Sequence, residues 1–172
     1  MEHIPEKGPV VFCCNHISNL DPPLLAVSTK RKVHFMAKAE LFRVPVLGGL
    51  VRSLGAFPVK RGAGDRQALK KAIQLLQEGH TVGIFPEGTR SKTGEMGQFH
   101  VGAALIALKG EAPIVPAAIC GSYRLFRPIK IVFGPPVDIT PFLKEKAGTA
   151  TARKVTELVV SEIRSLQEQS GE

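Results

Sequence analysis

The chain has 172 residues, 44% of them hydrophobic and 22% charged, with a formal net charge of +8. Such a length and composition fit one domain, residues 1–172, with a real core, and they exclude a disordered or fibrous chain. No run approaches the ~20 apolar residues that span a bilayer, and no secretory leader pattern opens the chain, so an integral membrane protein is not expected.

Three cysteines, two of them adjacent in an apolar run, are not a disulfide framework and suit a reducing compartment. The charge is uneven: residues 1–71 hold 12 Lys/Arg against 5 Asp/Glu, while residues 72–172 hold 11 against 10. A basic half suits an anionic partner, such as a phosphate-bearing small molecule or an anionic membrane face. Nucleic acid is the weaker choice, because one tyrosine and no tryptophan leave no basic-aromatic interleaving.

Along the chain, Val10-Val11-Phe12-Cys13-Cys14 reads as a short buried strand. Asp21 as N-cap and Pro22 as first helical residue open a helix over 22–29. Alternation predicts a second strand over 33–37. Residues 39–54 have helical apolar spacing broken by Pro45 and Gly48-Gly49, and 57–59 form a brief extended piece. The clearest helix is 65–78, capped by Asp65 and ended by Gly79, with Leu69, Ala72, Ile73, Leu75 and Leu76 as its apolar stripe. A buried strand over 81–85, a polar loop over 86–99, an apolar helix over 101–109, strands over 113–119 and 129–134, and a final amphipathic helix over 150–169 complete the order. Strands alternating with helices predict an α/β domain: a mainly parallel central sheet covered by helices on both faces, mixed if the last strand turns back.

Four clusters at strand ends carry the chemistry. In the first, Asn15 to Asp21, the Asp21 carboxylate can hold the His16 imidazole in one tautomer and make it a general base. In the second, Lys60 and Arg61 follow a strand, and Arg61 suits a phosphate. The third is Phe85-Pro86-Glu87-Gly88-Thr89-Arg90-Ser91, a tight turn dense in directional groups. Gly88 permits close backbone approach, Glu87 accepts from hydroxyls, and Thr89, Arg90 and Ser91 donate. The fourth, residues 114–119, is apolar core or an apolar wall. Cys13 and Cys14 point to opposite sides of a strand, so they are poor partners for one metal ion with His16 and Asp21. No Walker or dinucleotide fingerprint is met, Ser18 lacks a nucleophile-elbow context, and His34 and His100 read as structural or surface residues.

In this order the clusters resemble the glycerolipid acyltransferase family, specifically 1-acyl-sn-glycerol-3-phosphate acyltransferases of bacterial type. The N-H-x-x-x-x-D motif matches Asn15, His16 and Asp21. The arginine-ended motif resembles residues 55–61, F-P-E-G-T-R-S is met by residues 85–91, and V-P-x-x-I fits Val115, Pro116 and Ile119. The match runs from about His3-Ile4-Pro5 to Phe133-Gly134-Pro135-Pro136-Val137, and it starts close to Met1, where family members usually carry further apolar or amphipathic residues ahead. His100 stands where the resemblance leads one to expect a lysine.

The resemblance implies transfer of an acyl group from acyl-CoA or acyl-ACP to the free hydroxyl of lysophosphatidic acid. His16 and Asp21 would be catalytic, Lys60 and Arg61 would hold the phosphate, and Glu87, Gly88, Thr89, Arg90 and Ser91 would position the acceptor. It implies no metal and no resident cofactor. The expected partners are lysophosphatidic acid, an acyl thioester, an anionic membrane surface and acyl carrier protein, at the cytoplasmic face of the membrane. Residues 41–54 and 115–119 are candidates to line the acyl path. The alternatives are a glycerol-3-phosphate or lysophospholipid acyltransferase, or a non-catalytic lipid-binding module.

Overall fold

A computed structural model describes residues 3–59, 65–91, 93–123, 128–145 and 147–170. In chain order the elements are β1 (Val10–Cys14), α1 (Asp21–Val27), β2 (Val33–Lys38), a 3₁₀ turn (Ala39–Arg43), α2 (Leu47–Ser53) and β3 (Phe57–Val59). There follow α3 (Arg66–Gln77), β4 (Thr81–Ile84), α4 (Gly102–Gly110), β5 (Ile114–Gly121), β6 (Ile129–Phe133), α5 (Thr140–Leu143) and α6 (Thr149–Ser170).

The sheet runs β3-β2-β4-β1-β5-β6. The first five strands are parallel and β6 is antiparallel to β5, so the sheet is mixed. The unbroken apolar run of β1 explains its place: every residue is buried, as a strand with neighbours on both edges and cover on both faces requires. Alternation along β1 divides the core. Val11 and Cys13 pack with Val82, Ile114 and Ala118 against Leu76 of α3, Ile106 of α4 and Val155 of α6. Val10 and Phe12 face the other way, with Phe35, Val115 and Leu25 of α1. Cys13 and Cys14 thus do face opposite sides. Cover is uneven, because α3, α4 and α6 pack on one face while α1 and Ile4 cover the other.

The Asp65 cap forms as expected, accepting from Gln67 N–H at 2.9 Å and Ala68 N–H at 3.1 Å, a device typically giving ~1 kcal/mol. Two readings change, and one element is new. Asp21 is not the N-cap of the first helix. Leu20 stands there, and Asp21 is the first helical residue with its carboxylate turned back onto residues 16–18. In the stretch 39–54 the break falls at Pro45 alone, and Gly48 and Gly49 lie inside α2. A Cβ at Gly48 would sit 2.5 Å from Phe42 O, so this glycine lets α2 rest on the 3₁₀ turn. The four-residue α5 is too short to show a period in the sequence.

Candidate active site

In a parallel sheet the loops after the strands gather at one edge, the usual place for a ligand. Here Cys13 pairs with Ile84 of β4 and with Pro116 of β5, so the loops following β1 and β4 leave the sheet side by side. The β1 ladder ends on a side chain. The amide of Asn15 donates to Ile119 O at 3.0 Å and accepts from Ile119 N–H at 2.7 Å. It continues the pairing with β5 after the backbone has turned away. The first and fourth motifs are joined by this bond, a role for Asn15 that residue type alone did not disclose.

The turn beyond Asn15 brings His16 and Asp21 together, with Nδ1 of His16 2.7 Å from Asp21 Oδ2. The same oxygen accepts from Ile17 N–H at 2.6 Å and Ser18 N–H at 2.7 Å, and Oδ1 accepts from the Tyr123 hydroxyl at 2.8 Å. Asp21 is fully buried, so these charge-assisted bonds replace the water its carboxylate would otherwise hold. A carboxylate can only accept. Nδ1 of His16 therefore carries a proton, and Nε2 of the neutral ring carries the lone pair. The imidazole stacks on Phe85 at a centroid distance of 4.4 Å. Ser18 Oγ accepts from Leu20 N–H at 3.2 Å within the same turn, so it belongs to the loop's own bonding.

The β4 loop holds this turn from the other side. Glu87 Oε1 accepts from His16 N–H and Oε2 from Gly97 N–H, both at 2.8 Å. Ser91 N–H donates to His16 O at 2.8 Å. Glu87 is 6% exposed, and both of its oxygens bind backbone. These bonds give it a structural task beside the expected one, which is to fix the backbone of His16. Gly88 has φ 67°, a left-handed turn that suits glycine. Beyond it Thr89 and Arg90 are exposed beside the His16 turn, and Ser91 is half-buried. His100 N–H donates to Pro86 O at 2.9 Å, and its ring lies 3.4 Å from where a Gly88 Cβ would be. Lys60 and Arg61 lie outside the described residues. The strand before them, β3, stands three places from β1, about 14 Å at ~4.8 Å per strand.

Of the expected site, the structure brings together His16, Asp21, Glu87, Gly88 and Ser91. It adds Asn15, Phe85, Gly97 and Tyr123. For Tyr123 no local signal exists, since it bonds to a residue 102 positions earlier.

A histidine with a fixed tautomer and a buried carboxylate behind it, at the C-terminal edge of a parallel sheet, can take a proton from a bound hydroxyl. A family model described as Acyltransferase matches residues 1–120, and the chain belongs to that family. It is 37% identical over 147 residues to the 1-acyl-sn-glycerol-3-phosphate acyltransferase of Bacillus subtilis strain 168, covering 82% of this chain and 73% of that protein. It is 37% identical over 128 residues to the chloroplastic 1-acyl-sn-glycerol-3-phosphate acyltransferase BAT2 of Brassica napus, covering 73% of this chain and 37% of that protein. The crystal structure of the 1-acyl-sn-glycerophosphate acyltransferase PlsC from Thermotoga maritima matches with a TM-score of 0.74 at 28% identity, over 96% of this chain and 69% of that one. The chain thus spans about three quarters of the first relative and little more than a third of the second.

Proposed function

We propose that this chain transfers a fatty acyl group from an acyl-CoA or acyl-ACP thioester to the sn-2 hydroxyl of 1-acyl-glycerol-3-phosphate, forming phosphatidic acid. The observation that carries this reading is the His16–Asp21 pair, with Nδ1 and Oδ2 2.7 Å apart, in a chain whose relatives bear that activity in their names. Nε2 of His16 takes the hydroxyl proton as the oxygen attacks the thioester carbonyl. The tetrahedral intermediate then expels the thiolate, which recovers the proton from the imidazolium. One C–O bond forms, one C–S bond breaks, and the acceptor's own hydroxyl serves as nucleophile. The step is acid–base chemistry throughout, so neither a metal nor a resident cofactor enters it. Thr89, Arg90 and the backbone at Gly88 position the acceptor, while Arg61 with Lys60 holds its phosphate.

The deciding experiment is mass-spectrometric identification of the product from lysophosphatidic acid with each donor, beside glycerol-3-phosphate and an uncharged lysolipid as acceptors. Phosphatidic acid as main product is expected; preferential acylation of another acceptor would replace the reading. Replacing Arg61 by alanine is expected to raise KM about tenfold or more for phosphate-bearing acceptors, the cost of a lost charge-assisted contact. An equal rise on uncharged acceptors would argue against a phosphate role.

A lipid acceptor demands contact with a bilayer, which this reading places at the cytoplasmic face. Among the described residues no helix is long and apolar enough to cross a membrane. The contact assigned to α2 is peripheral. Val46 is 90% and Leu50 54% exposed, with Leu47 and Leu54 also outward, and Arg43 and Arg52 lie on the same segment. Val46 is held at φ 65°, a conformation costly for a β-branched residue. Apolar insertion together with roughly 1 kcal/mol per near-surface cation supports binding to an anionic leaflet. Co-sedimentation with anionic vesicles should fall as salt rises, and fall further in a Val46→Asp, Leu50→Asp variant. Binding indifferent to both changes would rule out this contact.

A further inference from the structure

The connection between β5 and β6 lays a third side chain on the His16–Asp21 pair. β5 ends at Gly121, which has φ 100° and where any Cβ would overlap Pro128 O, and the chain turns back there toward the first motif. Two residues on, the Tyr123 hydroxyl donates to Asp21 Oδ1 at 2.8 Å. The two oxygens of Asp21 are held differently. Oδ2 accepts from His16, Ile17 and Ser18, all within its own turn. Oδ1 is held by Tyr123, from the segment that follows the neighbouring strand β5. The Cβ–Cγ torsion of an aspartate is soft, and rotation about it carries both oxygens, so a bond to Oδ1 from another element stiffens the plane that the Oδ2 bonds set.

We propose that Tyr123 is a positioning residue for acyl transfer, fixing the plane of the Asp21 carboxylate and thereby the direction in which His16 Nε2 meets the acceptor hydroxyl. The inference rests on the function proposed above and deepens it. Burial pushes the Tyr123 phenol up, and its bond to Asp21 and the charge of Asp21 push the same way, so it remains a donor across the working pH range. Among the described residues, titratable groups near the pair include the Cys14 thiol, pushed well up by burial first and the Asp21 charge second, and the Glu87 carboxylate.

Tyr123 is the only tyrosine and the chain has no tryptophan, so the phenol can be titrated alone. Tyr123→Phe keeps the ring and removes the donor. It is expected to lower kcat roughly tenfold, leaving KM for lysophosphatidic acid and thioester within about twofold. Biosynthetic replacement of the tyrosine by a difluorotyrosine, whose free phenol ionises near neutrality, lets fluorine NMR follow ionisation in the folded chain. The phenol should ionise above the free amino acid, and an Asp21→Asn change should bring it back. Wild-type kcat in Tyr123→Phe would overturn the proposal, as would a phenol that titrates like the free amino acid and ignores Asp21→Asn. A wild-type chain that acylates no lysophosphatidic acid would overturn the proposed function instead, and the titration would still decide whether Tyr123 holds Asp21.

Discussion

Replacing His16 by alanine is expected to lower kcat for lysophosphatidic acid by about 10²–10⁴, the usual contribution of a general base. Release of free thiol from an acyl thioester measures it directly. Lysolipid binding should survive, because the phosphate contacts are assigned to other residues. The fold should also survive. Among the described residues the side chain makes one bond, to Asp21, and one ring contact, to Phe85, and the backbone bonds that lock the turn, His16 N–H to Glu87 and Ser91 N–H to His16 O, do not need the imidazole. A loss of only a few-fold would remove His16 from the chemistry.

Asp21→Ala should cost both activity and stability, which separates it from the histidine variant. Its carboxylate receives four hydrogen bonds, from His16, Ile17, Ser18 and Tyr123, at a fully buried position. Removing it strands part-buried donors, each costing ~1–3 kcal/mol where water does not replace the bond. A net loss of about 3 kcal/mol in denaturant unfolding is expected after local relaxation. The rate should fall by the same order as in His16→Ala, since His16 loses the bond that fixes its tautomer. Because the two side chains act as a unit, the double variant should be no slower than His16→Ala alone. Losses that multiply, or an unfolding midpoint equal to the wild type, would mean that Asp21 acts elsewhere.

Much of the architecture was open to a reader of residues. β1 announced itself by five consecutive apolar residues, α3 by its Asp65 cap and apolar stripe, and α6 by its period. These are local signals, in which each residue's backbone preference and neighbours at two, three or four positions decide the outcome. Where a residue had two uses, local reasoning chose the commoner one. Asp21 before two prolines looks like a cap, yet its carboxylate is drawn backwards by two backbone N–H groups and an imidazole. Gly48-Gly49 looks like a break, yet Gly48 is where α2 lies against Phe42 O. Glu87 in a polar turn looks like a ligand to substrate, and its bonds to two backbone donors were not legible beside that use.

By itself, then, the sequence determined which groups are available: a histidine with a carboxylate five residues on, a glycine turn with Thr89 and Arg90, a basic first half and an apolar stretch around Pro45. It also determined that these stand at strand ends. Only the tertiary structure decided which of them meet. The pairing of β1 between β4 and β5 sets the His16 turn against the Glu87 loop, lets Asn15 bind Ile119, and brings Tyr123 to Asp21. The physical reason is range. Caps and periodic faces are settled within a turn or a strand, whereas a bond between residues 102 positions apart exists only because a sheet has ordered its strands.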